Sequence, residues 1–407
     1  MSGEGLHLFE GVGLELEYMI VDRRSLEVLP IADRVLTAQA GELTNEVEVG
    51  PLCWSNELVL HVLELKTNGP AESTAGLTED FQNGVAAVNA HLASLGGQLL
   101  PGAMHPWFDP ATQTRLWPHE NSPIYAAYNR IFGCRGHGWS NLQSAHINLP
   151  FCGDQEFGRL HAAIRLVLPL LPALAAGSPV FAGRIGPALD NRLQFYRSNQ
   201  QRIPQISGRV IPEPAYSATG YRQQILQPIY NAIAPFDPQK ILQEEWLNSR
   251  GAIARFDRST IEIRVLDVQE CPAADVAIAG LVIVLLKALI EERWTDFSEQ
   301  AGWSEVPLAN LFNKVVIKGE TTLIGDAEYL ALFGYPGRSA RAGELWQYLV
   351  EALFGSNPPE PLQVIVEQGP LSRRLLRALV PEPGREKLAE VYRQLGDCLA
   401  TGRMFHA

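Results

Sequence analysis

The chain has 407 residues, 46% of them hydrophobic, and a formal net charge of −12. That is long and apolar enough for a large core, and it excludes a disordered or fibrous protein. The acidic balance argues against nucleic-acid binding, which neutralises phosphates with basic side chains, so an anionic substrate must be met by local arginines or bound metal.

Leu14 to Val21 alternates in polarity and predicts a strand, as does Val59 to Thr67 after a turn near Gly50-Pro51. Apolar residues recur at helical spacing from Ser73 to Ser94, and Gly96-Gly97 ends that helix. Leu99 to Met104 reads as a short strand running into His105-Pro106. Residues 106 to 140, rich in Pro, Trp, Asn and Gly, read as a long loop with a helical piece around Ile124 to Ile131. Loops of that length in a compact domain are often functional. Ser144 to Leu149 predicts a strand and Phe157 to Ala176 a long apolar helix. Residues 177 to 220 form a second irregular segment with many arginines. Ala252 to Leu266 holds a strand, and Ala274 to Glu292 a helix. From about Gly302 the pattern is helical, with breaks at Gly355 to Pro361 and Pro381 to Gly384.

The opening MSGEGLHLFE lacks the basic and apolar parts of a signal peptide, and the apolar run Val276 to Leu286 is too short to span a bilayer. Cys53, Cys134, Cys152, Cys271 and Cys398 are odd in number, widely spaced and without a C-x-x-C pair. Both features fit a cytoplasmic protein with no membrane partner, and neither a disulfide scaffold nor a zinc site. Strands grouped in the first 270 residues, helices between them and a helical tail imply an α+β fold. The alternation favours an antiparallel sheet with one polar face, covered by helices on the other. We expect a unit at residues 1–295 and a helical C-terminal region, 296–407, packed on the same domain.

Side chains alternate faces along a strand. Glu15 and Glu17 therefore share a face, as do Glu64 and Lys66, His146 and Asn148, and Glu262 and Arg264. Any one of these alone reads as the solvated face of an amphipathic strand. Together they repeat one design, aliphatic on one side and Glu, His or Arg on the other. If the strands pair, one face gathers Glu15, Glu17, Glu64 and Glu262, and such like charges raise one another's pKa unless cations intervene. Carboxylates with a single imidazole suit Mg²⁺ or Mn²⁺. Magnesium suggests a phosphate substrate, and the arginines of residues 184–209 and 255–264 are suited to clamping one. No Walker A sequence is present.

These residues resemble the glutamate–cysteine ligase family, in particular its second bacterial group of carboxylate–amine ligases. Gly13-Leu14-Glu15-Leu16-Glu17 is similar to the G-x-E-x-E strand of that group. Glu57 and Glu64, with Glu64-Leu65-Lys66-Thr67, resemble its second acidic strand, where the first position is commonly Asp. His105-Pro106 resembles a T-H-P-F-like element, and the stretch from Ala173 to Gly183 an A-L-S-A-x-S-P helix end. Arg192 falls at the arginine of a Y-R-S element, and Thr260 to Asp267 is similar to T-V-E-x-R-V-x-D. Two departures stand out. Ser144-Ala145-His146 replaces the usual H-x-H, and Ile124-Tyr125 replaces an Arg-Tyr pair in a loop that helps bind the acceptor.

The resemblance implies a glutamine synthetase-like catalytic fold. It implies ATP-dependent formation of an amide bond, γ-glutamyl in type, through an acyl phosphate. Glu15, Glu17, Glu57, Glu64, His146 and Glu262 would hold Mg²⁺, or Mn²⁺. Glu262 and Arg264 would be catalytic, Arg264 steadying the transferred phosphoryl group, while Arg192 and Arg255 would grip phosphate or a substrate carboxylate. His105 reads as a satisfied core or loop histidine, and Trp107, Trp117 and Trp139 as packing residues more than pocket walls. Partners would be small-molecule acid and amine substrates, with a homodimer left open. Three readings compete: a ligase for a different amine, a binding protein that keeps the fold without the chemistry, and metal-dependent phosphotransfer to a guanidino group.

Overall fold

Alternation in Gly13-Leu14-Glu15-Leu16-Glu17 produces a ten-residue strand, β1 (Gly13–Asp22), around which the rest of the sheet is built. The computed structural model describes residues 5–379 and 383–407. The remaining strands of the main sheet are β2 (Glu46–Val49), β3 (Leu52–Asn56), β4 (Val62–Thr67), β5 (Gly97–Leu100) and β6 (Ser144–Pro150). After a small hairpin, β7 (Val180–Phe181) and β8 (Arg184–Ile185), come β9 (Ala252–Arg255) and β10 (Thr260–Asp267). A second hairpin pairs β11 (Leu323–Ile324) with β12 (Ala340–Arg341).

The eight-stranded sheet runs β2-β3-β4-β1-β6-β10-β9, every pair antiparallel. On one side β1 meets β4. On the other it meets β6 over Gly13–Leu16 and β5 over Met19–Asp22. One face presents Leu14, Leu16, Leu63, Leu65, Ile147, Leu149, Ile261 and Ile263, all buried. Helices Leu77–Ala93, Gly153–Val167 and Pro272–Ile290 supply the other half of this core through residues such as Phe81, Val85, Ile164 and Leu281. Burying each large aliphatic side chain there contributes about 1.5–3 kcal/mol.

The other face changes character along β1. Glu15 and Glu17 give way to Met19 and Val21, which pack with Leu371, Leu375, Leu388, Tyr392 and Leu395 in a second core. Helices Leu371–Leu379 and Arg385–Thr401 thus close the far end of the polar face. The chain end is held in the same region. Arg374 and Glu270 form an ion pair with both side chains fully buried, Arg374 Nη1 donates to the Phe405 carbonyl at 2.7 Å, and the Phe405 N–H donates to Glu270 Oε1 at 3.2 Å.

The α+β architecture agrees with the sequence-based expectation, and several boundaries shift. The strand expected over Val59–Thr67 begins at Val62, and β2 and β3 precede it. Glu-Val-Glu-Val in β2 is an edge strand exposed or half-exposed throughout, so it carries no burial pattern to read. The single strand expected in Ala252–Leu266 is a hairpin, because residues 256–259 turn the chain with Ser259 at φ 54°. The second irregular segment holds β7–β8 and a short helix, Asn191–Tyr196, capped by the Asp190 side chain. The break expected at Pro381–Gly384 begins at Pro381 and Glu382, which lie outside the described residues. Helices Gly153–Ala175 and Pro272–Ile290 are long and apolar enough to cross a membrane by composition, yet 94% and 61% of their apolar windows are buried in the fold. They are core helices.

Candidate active site

Strand register assembles the site. Glu17 lies opposite Glu64 between β1 and β4, Glu15 opposite His146 between β1 and β6, and Glu262 opposite Asn148 between β10 and β6. His146 is the hub. Its Nδ1 is 2.9 Å from Glu15 Oε2 and 3.7 Å from Glu262 Oε1, and its Nε2 is 3.9 Å from Glu17 Oε1. Two sets of three donor groups converge, Glu15-His146-Glu262 and Glu17-Glu64-His146, each with its donor atoms within 4.8 Å of one another.

Neighbouring side chains hold these groups in place. Ser55 Oγ donates to Glu64 Oε2 at 2.6 Å, and Asn148 Nδ2 donates to Glu15 Oε1 at 2.9 Å. A Cβ on Gly13 would lie 3.0 Å from the Asn148 Cβ, so glycine clears the space for that asparagine. Ser144, at the position of the missing histidine, donates to Glu17 Oε2 from its backbone N–H at 2.6 Å and from its hydroxyl at 3.0 Å. The same hydroxyl is 2.9 Å from His146 Nε2.

The charges are badly matched without a cation. Burial disfavours ionised Glu15, but the hydrogen bond and charge of His146 outweigh it and hold that carboxyl at about 2. Burial also opposes a charged His146, yet the hydrogen bond to Glu15 and the charges of Glu17, Glu15 and Glu262 lift it to about 9. Burial and the Glu15 charge push Glu64 up to about 7. Glu57, affected by burial and then by Glu17 and Glu64, stands well above the usual carboxylate range. Carboxylates that retain protons this far up are short of positive charge. Carboxylate oxygens with one imidazole are the donor set of Mg²⁺ or Mn²⁺, so the residues fit such an ion.

The expected site residues fall into three groups. Glu15, Glu17, Glu64, His146 and Glu262 come together on the sheet. Glu57 is not on the acidic strand with Glu64. It follows the end of β3 in the β3–β4 connection and lines a cavity together with Glu17. The arginines differ in freedom. Arg264 Nε is 2.7 Å from Glu262 Oε1, and its residue sits in a register shift of β10 after Ile263. Arg192 is buried and paired through Nε with Asp267, which also accepts from the Gly177 N–H and Ser178 Oγ at 2.8 and 2.7 Å. Arg255 is forked onto Asp257 at 3.2 and 3.0 Å, with Nη1 3.9 Å from Glu262 Oε2.

Two cavities open on this face. One, of about 550 Å³, is bounded by Glu17, Glu57, His146, Arg192 and Arg264 and walled by Tyr125, Tyr128, Trp139, Tyr196 and Trp246. The other, of about 530 Å³, is bounded by Glu15, Cys53, Lys66, Asn68, Asn148 and Ser259. Arg258 borders both. Trp139 is a wall of the first, whereas Trp107 and Trp117 are buried in cores. His105 is fully buried, its Nε2 2.7 Å from the Leu26 carbonyl, and burial pulls it down to about 4. Sequence reasoning missed Ser55, Tyr128, Tyr196, Gln200 and Trp246. Ser55 carried a readable signal, since it alternates with Trp54 in a strand ending just before Glu57. The others sit on helices and loops that only tertiary packing brings here.

The arrangement can bind a divalent ion over the acidic patch and anionic groups beside it. Residues 11–321 match the glutamate-cysteine ligase family 2 (GCS2). An uncharacterized protein of Archaeoglobus fulgidus is 33% identical over 395 residues, covering 97% of this chain and 100% of its own. A protein of Nocardioides sp. provisionally named glutamate–cysteine ligase 2-1 is 26% identical over 307 residues, 72% of this chain and 71% of its own. In fold, the chain resembles the crystal structure of glutamate–cysteine ligase from Francisella tularensis in complex with AMP. That likeness has a TM-score of 0.57 at 11% identity, over 96% of this chain and 89% of that one. Every carboxylate of the patch, and His146, lies inside the family match. The chain belongs to glutamate–cysteine ligase family 2, a family of ATP-dependent carboxylate–amine ligases.

Proposed function

We propose that this protein joins a glutamate-type acid to an amine by way of an acyl phosphate, consuming ATP. The observation that carries the reading is the pair of donor sets meeting at His146, with arginines around them. Glu15, Glu17, Glu64, His146 and Glu262 would hold the magnesium, and Glu57, which lines the same cavity as Glu17 and His146, would offer a further carboxylate. Magnesium held there would supply positive charge to offset that on a transferring phosphoryl group.

The remaining work falls to the chain itself. Lys66, which lines only the cavity beside Glu15, favours that cavity for the nucleotide, which leaves the aromatic cavity for acid and amine. A carboxylate oxygen of the acid attacks the γ-phosphorus, and ADP leaves. The amine nitrogen then attacks the acyl carbon, the bond to the phosphate oxygen breaks, and inorganic phosphate departs as the nitrogen gives up its proton. Arg264, kept charged by Glu262, faces the transferring group. Arg192, fixed by Asp267 and with Nη1 and Nη2 each 3.4 Å from the Arg264 carbonyl, lines the aromatic cavity, where its remaining N–H groups would meet a substrate oxyanion.

The family's name points to glutamate and cysteine. A second reading, a different amine, is favoured by Ile124 in place of arginine and by the aromatic wall beside it. The test is ADP release in a panel of acid and amine pairs with and without Mg²⁺. We expect release only when acid, amine and metal are all present. ADP formed without an amine would favour simple phosphotransfer, and absence of Mg²⁺-dependent ATP binding in calorimetry would leave a binding protein.

A further inference from the structure

The aromatic cavity carries more information than its position. Tyr128 lies with its ring centroid 5.2 Å from Trp139 and 6.1 Å from Trp246, both tilted, so three large rings share one wall. Such a surface favours a flat apolar group, or an organic cation over the ring faces. Gln200 lines the same cavity and is 3% exposed. Its Nε2 donates to Ser249 Oγ at 3.0 Å, and the Ser249 hydroxyl donates onward to the Leu247 carbonyl at 3.3 Å. In this arrangement the amide nitrogen faces serine and the oxygen faces away from it. Gln200 Oε1 is left buried and without a hydrogen-bond partner among the described residues. A buried acceptor left unpaired is costly, and because Gln200 lines the cavity a donor entering there would relieve that cost.

The charges narrow the donor further. Each of the three arginines lining the cavity already faces an acid: Arg192 with Asp267, Arg264 with Glu262, and Arg258 3.8 Å from Asp257. The ligation itself needs Arg192 and Arg264 for phosphate and the acid donor, and Arg258 is shared with Asp257 and the neighbouring cavity, so a carboxylate on the acceptor would have no cation to itself.

We propose that the acceptor is an arylalkylamine, its nitrogen hydrogen-bonded to Gln200 Oε1 and its ring packed on Trp139, Tyr128 and Trp246. This assignment rests on the ligase reading, which supplies the reason for an amine to enter. Accepting one N–H at Gln200 turns the nitrogen lone pair, once free of its extra proton, toward the acyl carbon.

Calorimetry on the full chain with phenethylamine tests it without requiring turnover. Phenethylamine should bind about tenfold more tightly than ethylamine or cysteine, the worth of packing its ring. Trp139→Ala should remove that preference. Gln200→Leu should weaken phenethylamine binding roughly tenfold, the scale of one hydrogen bond to a charged donor. Gln200→Glu should strengthen it, a gain that misfolding cannot imitate. Phenethylamine and a non-hydrolysable ATP analogue should occupy the protein together. Equal affinity for ethylamine or cysteine, binding indifferent to all three substitutions, or competition with the nucleotide would each overturn the assignment. Phenethylamine binding with no ADP release from any acid and amine pair would support the subsite while rejecting the ligase reading.

Discussion

Replacing Glu64 by glutamine should make the metal-free protein more stable. In the folded chain Glu64 is held up at about 7 against an ordinary value of 4.5, with burial as the leading cause and Glu15 next. An acid with a raised folded pKa carries no penalty below its unfolded value and the full penalty above its folded one. At pH 8 the difference of about 2.5 pH units is worth roughly 3 kcal/mol at 1.36 kcal/mol each. Glutamine keeps an oxygen to accept from Ser55 Oγ, and Lys66 keeps Glu46 at 3.4 Å, so little is lost in exchange. Urea unfolding in chelator at pH 8 should show Glu64→Gln more stable by about 1–3 kcal/mol, with the gain fading as pH falls toward 4.5. With Mg²⁺ added the order should change, because wild type gains a ligand that the variant binds poorly. A variant less stable than wild type at pH 8 in chelator, or equally stabilised by Mg²⁺, would refute the view that these carboxylates await a cation.

His146 gives the complementary pH dependence. Its folded pKa is raised from 6.5 to about 9, so its contribution of roughly 3 kcal/mol is fully present below pH 6.5 and lost as pH rises through 9. Melting temperatures in chelator between pH 6.5 and 9.5 should fall more steeply for wild type than for His146→Asn. At the chain end, Glu270→Gln leaves Arg374 buried beside a neutral partner, and breaking a buried pair this way costs about 3–5 kcal/mol. Denaturant titration should show that loss in the presence and absence of Mg²⁺ alike, since the pair lies away from the acidic patch.

The acidic patch was legible because it lies on strands. A period of two puts Glu15 and Glu17, or Glu262 and Arg264, on one side whatever the rest of the fold does. What stayed hidden was whatever depended on register or on distant segments. Glu57 looked like a strand residue because it shares a local pattern with Glu64, and only the hairpin geometry shows it hanging from a connection. Ser144 looked like a lost ligand, whereas its hydroxyl bridges Glu17 and His146. The aromatic wall draws Tyr128 and Trp139 from one long loop region, Tyr196 from a short helix and Trp246 from another segment. No sequence period links such positions.

The strand-built patch and the loop-built wall have different capacities for change. Carboxylates rooted on neighbouring strands are spaced by the sheet itself, about 4.8 Å from strand to strand, and none can be moved without displacing a core leucine or isoleucine on the opposite side. Trp139 and Gln200 sit on segments whose substitution disturbs no strand. On the proposed reading, the two halves of the reaction would rest on separately mutable supports. The proposed phosphate chemistry would then be tied to the core, while the choice of amine could drift along the rim.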